Sequence, residues 1–258
     1  TLNAIAMTAE LSEKLFLKGG VLMGLAYGSP RQTADIDLTT AFKVGPDIDD
    51  KIMVLMNGAF PRAAAKLGYV DLIVKVHSVK RMPKRIFEDA EFPALKMKIA
   101  FAKRGSRQEQ VLEMGKATSM VDVDISFNEP LGRIQVLELT GGEELQAYSL
   151  VDLIAEKYRA MLQQKERKRN RRQDVYDLDR LIDGNDLPEP LLTEILEALI
   201  EKCRSRKIDP SVDSLDDPEI KRRSGADWAT MELEIGALPE FEECYARVLT
   251  FYRKLPWT

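Results

Sequence analysis

The pattern of apolar residues changes part-way along this chain, and that change limits the fold more than any other feature. Before the Gly141-Gly142 pair, short segments alternate apolar with polar residues or are rich in β-branched residues, as β-strands are. The clearest is 121–127, where Val, Val, Ile and Phe alternate with Asp, Asp and Ser. After the pair, apolar residues recur at the spacing of amphipathic helices. The pattern predicts an α+β fold with an all-helical second part.

The same patterns give approximate element positions and a domain boundary. We expect a helix at 9–18 that leads into a glycine turn, and a second at 47–67 that Pro61 breaks. The boundary is expected near Gly141-Gly142, which gives domains 1–142 and 143–258. The remaining predicted elements are strands at 36–40, 70–76, 95–101 and 121–127 and helices at 148–163, 174–182, 191–203 and 241–255.

Composition narrows the class of protein without naming a function. The 258 residues are 45% hydrophobic, which is enough for an ordinary packed core. A net charge of −4 gives no global reason to expect nucleic-acid binding, so any such binding needs a local basic patch. Cys203 and Cys244 form no metal-binding or disulfide pattern, and no run approaches the roughly 20 apolar residues of a membrane span. We expect a cytoplasmic protein without a membrane segment.

Two short motifs near the N-terminus suggest phosphate and metal chemistry. Glycines such as those in Lys18-Gly19-Gly20 let the backbone approach a phosphate, because they carry no Cβ. In Asp35-Ile36-Asp37 the two carboxylates point to the same side of a strand, where they can hold Mg²⁺. The plainer interpretation of the aspartates is a solvated strand edge.

A second alternating pair, Asp122 and Asp124, would supply a third carboxylate if its strand lies beside the first. The residues alone do not decide which of the two would serve. The alternative is that both line the water-facing side of an amphipathic strand.

The helical part contains polar residues in unusual settings. Lys157 lies in an otherwise apolar helix, where it either faces a triphosphate or reaches the surface as lysines commonly do. The basic run 165–172 would grip RNA or nucleotide phosphates, or is a solvated loop. Asp174 and Asp177 lie three apart, on one helix face. Asp174 would cap that helix, or orient Lys157 or a substrate hydroxyl.

These motifs together resemble the AbiEii-type toxin nucleotidyltransferases of the DNA polymerase β-like superfamily. The resemblance covers nearly the whole chain and includes a helical tail with Trp228 and Pro239-Glu240-Phe241. The ordered motifs are Phe16-Leu17-Lys18-Gly19-Gly20 with Tyr27-Gly28, Arg31 and Asp35-Ile36-Asp37-Leu38, then Asp124-Ile125-Ser126, then Leu153-Ile154-Ala155-Glu156-Lys157, and finally Asp174-Val175-Tyr176-Asp177-Leu178.

The resemblance implies a nucleotidyltransferase-like mixed-sheet core with flanking helices, a C-terminal helical domain and an active site between them. By motif position, Asp35 and Asp37 bind Mg²⁺ or Mn²⁺, with Asp124 as the third metal ligand, and Lys157 and Asp174 complete the catalytic set. The residues assigned to nucleotide binding are Lys18, Gly19, Gly20, Arg31, Thr33 and Arg172. One departure is Gln173, where many members have Arg. Arg172 lies about 100° away around the helix.

The activity implied by the resemblance is Mg²⁺-dependent transfer of NMP from an NTP to tRNA, another RNA or another hydroxyl acceptor. The protein would be a toxin whose antitoxin is encoded nearby. Two alternatives are a glycosyltransferase that holds a nucleotide-sugar through Asp-x-Asp and metal, and a non-catalytic RNA- or protein-binding module. The first leaves Lys18-Gly19-Gly20 and the Asp174 region unexplained. The second predicts the loss of a key carboxylate, and none is lost.

Overall fold

The computed structural model describes residues 1–257, which divide into two compact units that interleave along the chain. We call them the sheet unit and the helical unit. The sheet unit comprises Thr1–Leu22, Thr33–Glu129 and Ile134–Ala147, and the helical unit comprises Met23–Gln32, Pro130–Arg133 and the residues from Tyr148 onward. The domain boundary at residue 142 stays a prediction.

The sheet unit contains a mixed β-sheet whose strands are β1 Leu15–Lys18, β2 Asp35–Thr40, β3 Leu72–Met82, β4 Ala94–Lys103, β5 Met120–Ser126, β6 Ile134–Glu138 and β7 Glu144–Tyr148. Their order in the sheet is β3-β4-β5-β2-β1-β7-β6. Strand β2 runs parallel to β5, and β1 parallel to β7, whereas the pairs β1–β2, β3–β4 and β4–β5 are antiparallel. This mixed sheet with flanking helices confirms the predicted α+β class. The helices up to residue 113 are α1 Leu2–Ala6, α2 Ala9–Ser12, α3 Gly19–Tyr27, α4 Ile48–Lys66 and α5 Arg107–Glu113, of which α3 begins in the sheet unit and continues in the helical unit.

The helix predicted at 9–18 is wrong in its second half. Helix α2 ends at Ser12, and Leu15–Lys18 forms strand β1, in which every residue is buried. This strand lies between β2 and β7, so neighbours surround it and its sequence lacks the alternation of a strand with one wet face. A short apolar run of this kind is not distinguishable from a buried helix by periodicity alone.

Pro61 does not break helix α4, contrary to the prediction. The helix continues from Ile48 to Lys66 and packs against β3. Met56, Ala59 and Ala63 are buried on both sides of the proline. Burial of this face holds the helix together across the missing backbone hydrogen bond, since packing rather than propensity supplies most helical stability in proteins.

The helical unit is built around one buried helix. This is α6, Leu150–Gln163, and the helices that follow it are α7 Arg172–Asp183, α8 Glu189–Ser205, α9 Pro218–Gly225, α10 Glu232–Ile235 and α11 Phe241–Lys254. Twelve of the 14 residues of α6 are buried, and this helix packs against α7, α8 and α9. The buried set includes Asp152, Lys157 and Arg159, which need partners because an unpaired charge is unstable away from water.

Candidate active site

The Asp-Ile-Asp motif occupies the first half of strand β2. Ile36 and Leu38 are buried, whereas Asp37 is half-buried and Asp35 exposed. The predicted strand and its alternation are therefore confirmed. The Thr33 hydroxyl donates a 2.6 Å hydrogen bond to Asp35 Oδ1. Thr33, which was predicted to bind nucleotide, thus contacts one of the two carboxylates directly.

Strand register places the second aspartate pair beside the first. In the parallel pairing of β2 with β5, Asp35 lies opposite Asp122, and Asp37 lies opposite Asp124. Residues opposite each other on neighbouring strands point to the same side of the sheet, so the four carboxylates share one face. This juxtaposition was the condition on which the prediction of a third carboxylate depended.

Each carboxylate on β5 has a lysine partner on β4. Lys96 Nζ lies 2.9 Å from Asp124 Oδ2, and Lys98 Nζ lies 2.7 Å from Asp122 Oδ1. Both lysine side chains are exposed, so these pairs are readily exchanged for other partners. The assignment of Asp124 as third metal ligand stays a prediction.

The carboxylate of Asp37 leaves no room for a side chain at Gly19. Its φ is +72°, and a Cβ built at this position would lie 2.1 Å from Asp37 Oδ2. No side chain fits there, so the glycine lets the backbone at the end of β1 lie against the Asp37 carboxylate. Gly19 and Gly20 open helix α3, and their predicted contact with triphosphate stays a prediction.

Lys18 shares the carboxylate face but its ammonium is already engaged. The register of β1 with β2 places Lys18 opposite Asp37. Its Nζ forms an ion pair with Glu129 and lies 3.3 Å from Ser126 Oγ. Its predicted binding of nucleotide would require exchange of these contacts.

The residue types on the carboxylate face fit the Mg²⁺ that the sequence predicts, and metal binding itself stays a prediction. Carboxylate oxygens are preferred Mg²⁺ ligands, and one or two of them suffice when substrate phosphates complete the shell. Asp35 and Asp37 supply such a pair. Asp35 accepts a hydrogen bond from Thr33, and Asp37 lies against the backbone of Gly19. Within residues 1–257, no cluster of three or more His, Cys, Asp or Glu side chains is arranged to hold a metal ion.

A second polar cluster lies inside the helical unit, around Lys157. This lysine is 5% exposed, which overturns the interpretation of a surface lysine. Its Nζ lies 2.6 Å from Asp177 Oδ2 and 3.4 Å from Asp174 Oδ1. The structure therefore brings together Lys157 and Asp174, two residues that the sequence placed in one site.

Arg31 joins the same cluster through Asp177. Its Nε donates to Asp177 Oδ1 at 3.2 Å and its second terminal nitrogen to Oδ2 at 3.1 Å. Such a two-point pair fixes the plane of both groups. Arg31 was predicted to bind nucleotide, and in the structure its guanidinium is occupied by a carboxylate.

Opposite charges set the ionisation of this cluster. Burial alone would lower the pKa of Lys157, but the charges of Asp177 and Asp174 outweigh it and the pKa is raised. Burial would likewise raise the pKa of Asp177, but Lys157 and Arg31 outweigh it and that pKa is lowered. Lys157 is therefore a buried cation at neutral pH, held by two anions.

The first turn of α7 carries two buried polar atoms that lack hydrogen bonds to the described part of the chain. They are Asp174 Oδ2 and Arg172 Nε. Arg171 lies 3.6 Å from Asp174 Oδ2, beyond hydrogen-bond distance. Asp174 and Arg172 were both assigned to the site from sequence, and buried polar atoms of this kind are where a bound group is expected.

The basic run 165–172 connects α6 with α7 and is largely exposed. Lys165 pairs with Asp217 at 2.8 Å. Lys168 and Arg169 lie at the exposed turn, where Lys168 adopts a φ of +51°. The run is therefore an exposed turn that leads into Asp174, and its contact with RNA or nucleotide phosphates stays a prediction.

Sequence reasoning did not include Asp177 in the site. The signal was its spacing three residues after Asp174, which places both carboxylates on one face of α7. Asp177 is the fully buried member, with 0% exposure. It accepts hydrogen bonds from both Arg31 and Lys157.

A mixed sheet with an aspartate pair on one strand, a glycine turn beside it and a buried lysine in the helical unit fits the nucleotidyltransferase class. The family model for the AbiEii nucleotidyl transferase toxin of type IV toxin–antitoxin systems matches residues 1–247. The chain belongs to this family, which confirms the resemblance. It is a nucleotidyltransferase, and its family implies a nucleotide substrate and an antitoxin partner.

Solved structures support the fold at low sequence identity. The chain is similar to JHP933 from Helicobacter pylori, with 14% identity, a TM-score of 0.52 and coverage of 98% of this chain and 86% of that one. It is also similar to a Helicobacter pylori protein provisionally named as a nucleotidyltransferase, with 14% identity, a TM-score of 0.55 and coverage of 98% and 89%. Among curated protein sequences, none matches this chain. In residues 1–257, every helix is too short or too polar to cross a membrane.

Proposed function

We propose that this nucleotidyltransferase moves NMP from an NTP to an RNA, with tRNA as the first candidate, in a Mg²⁺-dependent reaction. The observation that carries the proposal is the shared face of Asp35, Asp37 and Asp124, with Asp37 seated on Gly19. We place the reaction in the cytoplasm, where NTP and RNA occur together, with the antitoxin encoded nearby.

Asp35 and Asp37 would hold the metal, with Asp124 as third ligand after Lys96 is displaced. When bound, Mg²⁺ neutralises phosphate charge and favours ionisation of the attacking hydroxyl. In the reaction an RNA hydroxyl oxygen forms a bond to the α-phosphorus, the bond from that phosphorus to the bridging oxygen breaks, and pyrophosphate leaves. The hydroxyl proton is released to solvent.

We also assign Lys157 and Asp174 to this reaction, because both belong to the ordered motifs of the sequence. The Lys157 ammonium would neutralise the charge that develops on the leaving pyrophosphate. The buried Oδ2 of Asp174 has no hydrogen-bond donor among the described residues, so it is available to accept a bond from a substrate hydroxyl. The buried Nε of Arg172 also lacks a hydrogen-bond partner among the described residues, and Arg172 would contact a phosphate oxygen.

RNA is proposed as acceptor because of the exposed basic turn. Lys168 and Arg169 extend from the turn that leads into Asp174, and each phosphate contact by such a residue contributes to affinity through counterion release. The glycosyltransferase and the non-catalytic binding module are set aside, because the chain belongs to a nucleotidyltransferase family.

The test uses each of the four labelled NTPs, Mg²⁺ and total cellular RNA, with the labelled species resolved by size. Wild type is expected to label one RNA class, and Asp35→Asn with Asp37→Asn to abolish the label. Asp47→Asn with Asp50→Asn is the control, since it removes the same charge near the start of α4. Transfer that persists in the Asp35/Asp37 variant contradicts the proposal.

The link to toxicity is tested by expression in a bacterial host. Wild type should slow growth, and the Asp35/Asp37 variant should not. Equal growth arrest by both proteins would separate toxicity from nucleotide transfer.

A further inference from the structure

Asp177 is the only carboxylate among the described residues that bonds both Arg31 and Lys157. Oδ1 accepts from Arg31 Nε, whereas Oδ2 accepts from the Arg31 terminal nitrogen and from Lys157 Nζ. With 0% exposure, Asp177 is enclosed by protein and its oxygens are occupied by these donors. Any effect of Asp177 on a substrate would therefore have to pass through these two cations.

The two cations have different places in the chain. Lys157 is in the middle of buried helix α6. Arg31 belongs to the short segment that precedes strand β2, four residues before Asp35. Within that segment the Arg31 N–H bonds Ser29 Oγ at 3.4 Å, and the Ser29 N–H bonds the Met23 carbonyl at 3.0 Å. One carboxylate therefore holds both Lys157 and Arg31.

Charge balance in the cluster depends on Asp177. Arg31 and Lys157 carry two positive charges, and Asp174 and Asp177 carry two negative ones. Loss of the Asp177 charge would leave Asp174, at 3.4 Å, as the remaining anion paired with Lys157, while Asp174 also attracts Arg171 at 3.6 Å and Glu234 acts on Arg31. Of the other buried or paired cations on helices packed against α6, Lys202 on α8 pairs with Asp152 and Arg223 on α9 with Glu219.

We propose that Asp177 is a positioning residue for nucleotidyl transfer, which keeps Lys157 charged and in place and orients Arg31 without touching substrate. The proposal rests on the proposed role of Lys157 in the reaction. It separates Asp177 from Asp174, whose second oxygen lacks a hydrogen-bond partner in the described structure.

Helix α7 supplies a matched control. Asp179 is also buried, at 7% exposure, and accepts two hydrogen bonds from Arg247, at 2.6 and 2.8 Å. Asp177→Asn and Asp179→Asn therefore each weaken a two-point arginine pair on the same helix. Only the first also removes a charge bonded to Lys157.

The expected kinetic result is a split between these variants. Asp177→Asn should lower kcat by at least tenfold with a smaller change in KM for NTP, and Asp179→Asn should change kcat by less than threefold. The alkaline limb of the pH–rate profile should move to lower pH in Asp177→Asn, because Lys157 loses its proton more easily. Equal kcat values for the two variants, or an unmoved alkaline limb, would overturn the proposal.

Two further measurements keep the proposal testable if Asp177→Asn does not fold or if no transfer is found. NMR titration of the Lys157 side-chain nitrogen reports its pKa without activity. Asp177→Asn should lower this pKa. Arg31→Met, which removes a neighbouring cation and leaves the Asp177–Lys157 bond, should raise it. An unchanged or lower Lys157 pKa in Arg31→Met contradicts the proposed charge balance, whereas absent transfer by wild type contradicts only the proposed function.

Discussion

The carboxylate of Asp37 occupies the space that a side chain at Gly19 would need. A Cβ at Gly19 would lie 2.1 Å from Asp37 Oδ2, and the backbone there has a φ of +72°. The first glycine of the Lys-Gly-Gly motif is therefore required by one of the proposed metal ligands, whether or not it also contacts phosphate.

Gly19→Ala should displace Asp37 and reduce nucleotide transfer to near background. It should also lower the free energy of unfolding by about 1–3 kcal/mol, because alanine is strained at this positive φ. Gly24→Ala in the same helix is the control, since its Cβ would meet nothing closer than the Ser29 carbonyl at 3.9 Å. Denaturant unfolding and transfer assays should show Gly24→Ala to be stabilised by up to about 1 kcal/mol with transfer intact. Equal transfer by the two variants would refute the role given to Gly19.

Two buried lysines of the helical unit should respond differently to substitution. Lys157 bonds Asp177 and lies near Asp174, whereas Lys202 pairs with Asp152 at 3.0 Å and bonds the Pro130 carbonyl at 3.3 Å. Lys202→Met should lower the unfolding free energy by about 3–5 kcal/mol, because it leaves the buried carboxylate of Asp152 without its cation. Transfer per folded molecule should be unchanged. Lys157→Met should reduce kcat at least a hundredfold, as measured in the fraction that remains folded.

That comparison separates chemistry from stability. If Lys202→Met loses as much kcat per folded molecule as Lys157→Met, the lysine in α6 has no special role in the reaction. The folded fraction is measured by near-ultraviolet circular dichroism under the assay conditions.

Lys96→Ala should strengthen Mn²⁺ binding several-fold if Asp124 is the third metal ligand. The Lys96–Asp124 pair competes with the metal, and the exposed ion pair is weak enough to be displaced. Lys98→Ala is the matched control, because Lys98 pairs with Asp122 two residues along the same pair of strands. Isothermal titration with Mn²⁺ alone compares the two. A larger gain for Lys98→Ala would assign the third ligand to Asp122.

The exposed turn after α6 should contribute to RNA affinity. Lys168→Ala with Arg169→Ala should weaken RNA binding and reduce the slope of log K against log salt by about 1.4–1.8, as expected for two phosphate contacts. Lys165→Ala should have a smaller effect, since Lys165 pairs with Asp217. Filter binding at several salt concentrations measures both. An unchanged salt slope in the double variant would remove the turn from the RNA interface.

The sequence was sufficient to predict most strands and helices that have one solvent-exposed face. The alternation at 121–127 and at Asp35–Leu38 correctly predicted β5 and β2, and the amphipathic spacing predicted α7, α8 and α11; the same spacing predicted α6, although twelve of its 14 residues are buried. It failed for β1, where every residue is buried and no alternation remains. Strands β6 and β7 also went unpredicted.

In the candidate site too, some features could be predicted from the sequence and others could not. Residue type and order were enough to select Asp35, Asp37 and Lys157. The ion pairs of Lys96 and Lys98 depend on the register between β4 and β5, which one sequence does not reveal. The role of Asp177 depends on its contact with Arg31, 146 residues away in the chain, and such a contact becomes visible only in the fold.

The most direct test of the central claim compares ATP, CTP, GTP and UTP labelled at the α-phosphate with the same nucleotides labelled at the γ-phosphate, in the presence of Mg²⁺ and RNA. Nucleotidyl transfer predicts that RNA acquires the α-label from at least one NTP, that the γ-label leaves as pyrophosphate, and that Asp35→Asn with Asp37→Asn abolishes both. RNA that acquires the γ-label instead, or an α-label that persists in the double variant, would contradict the account.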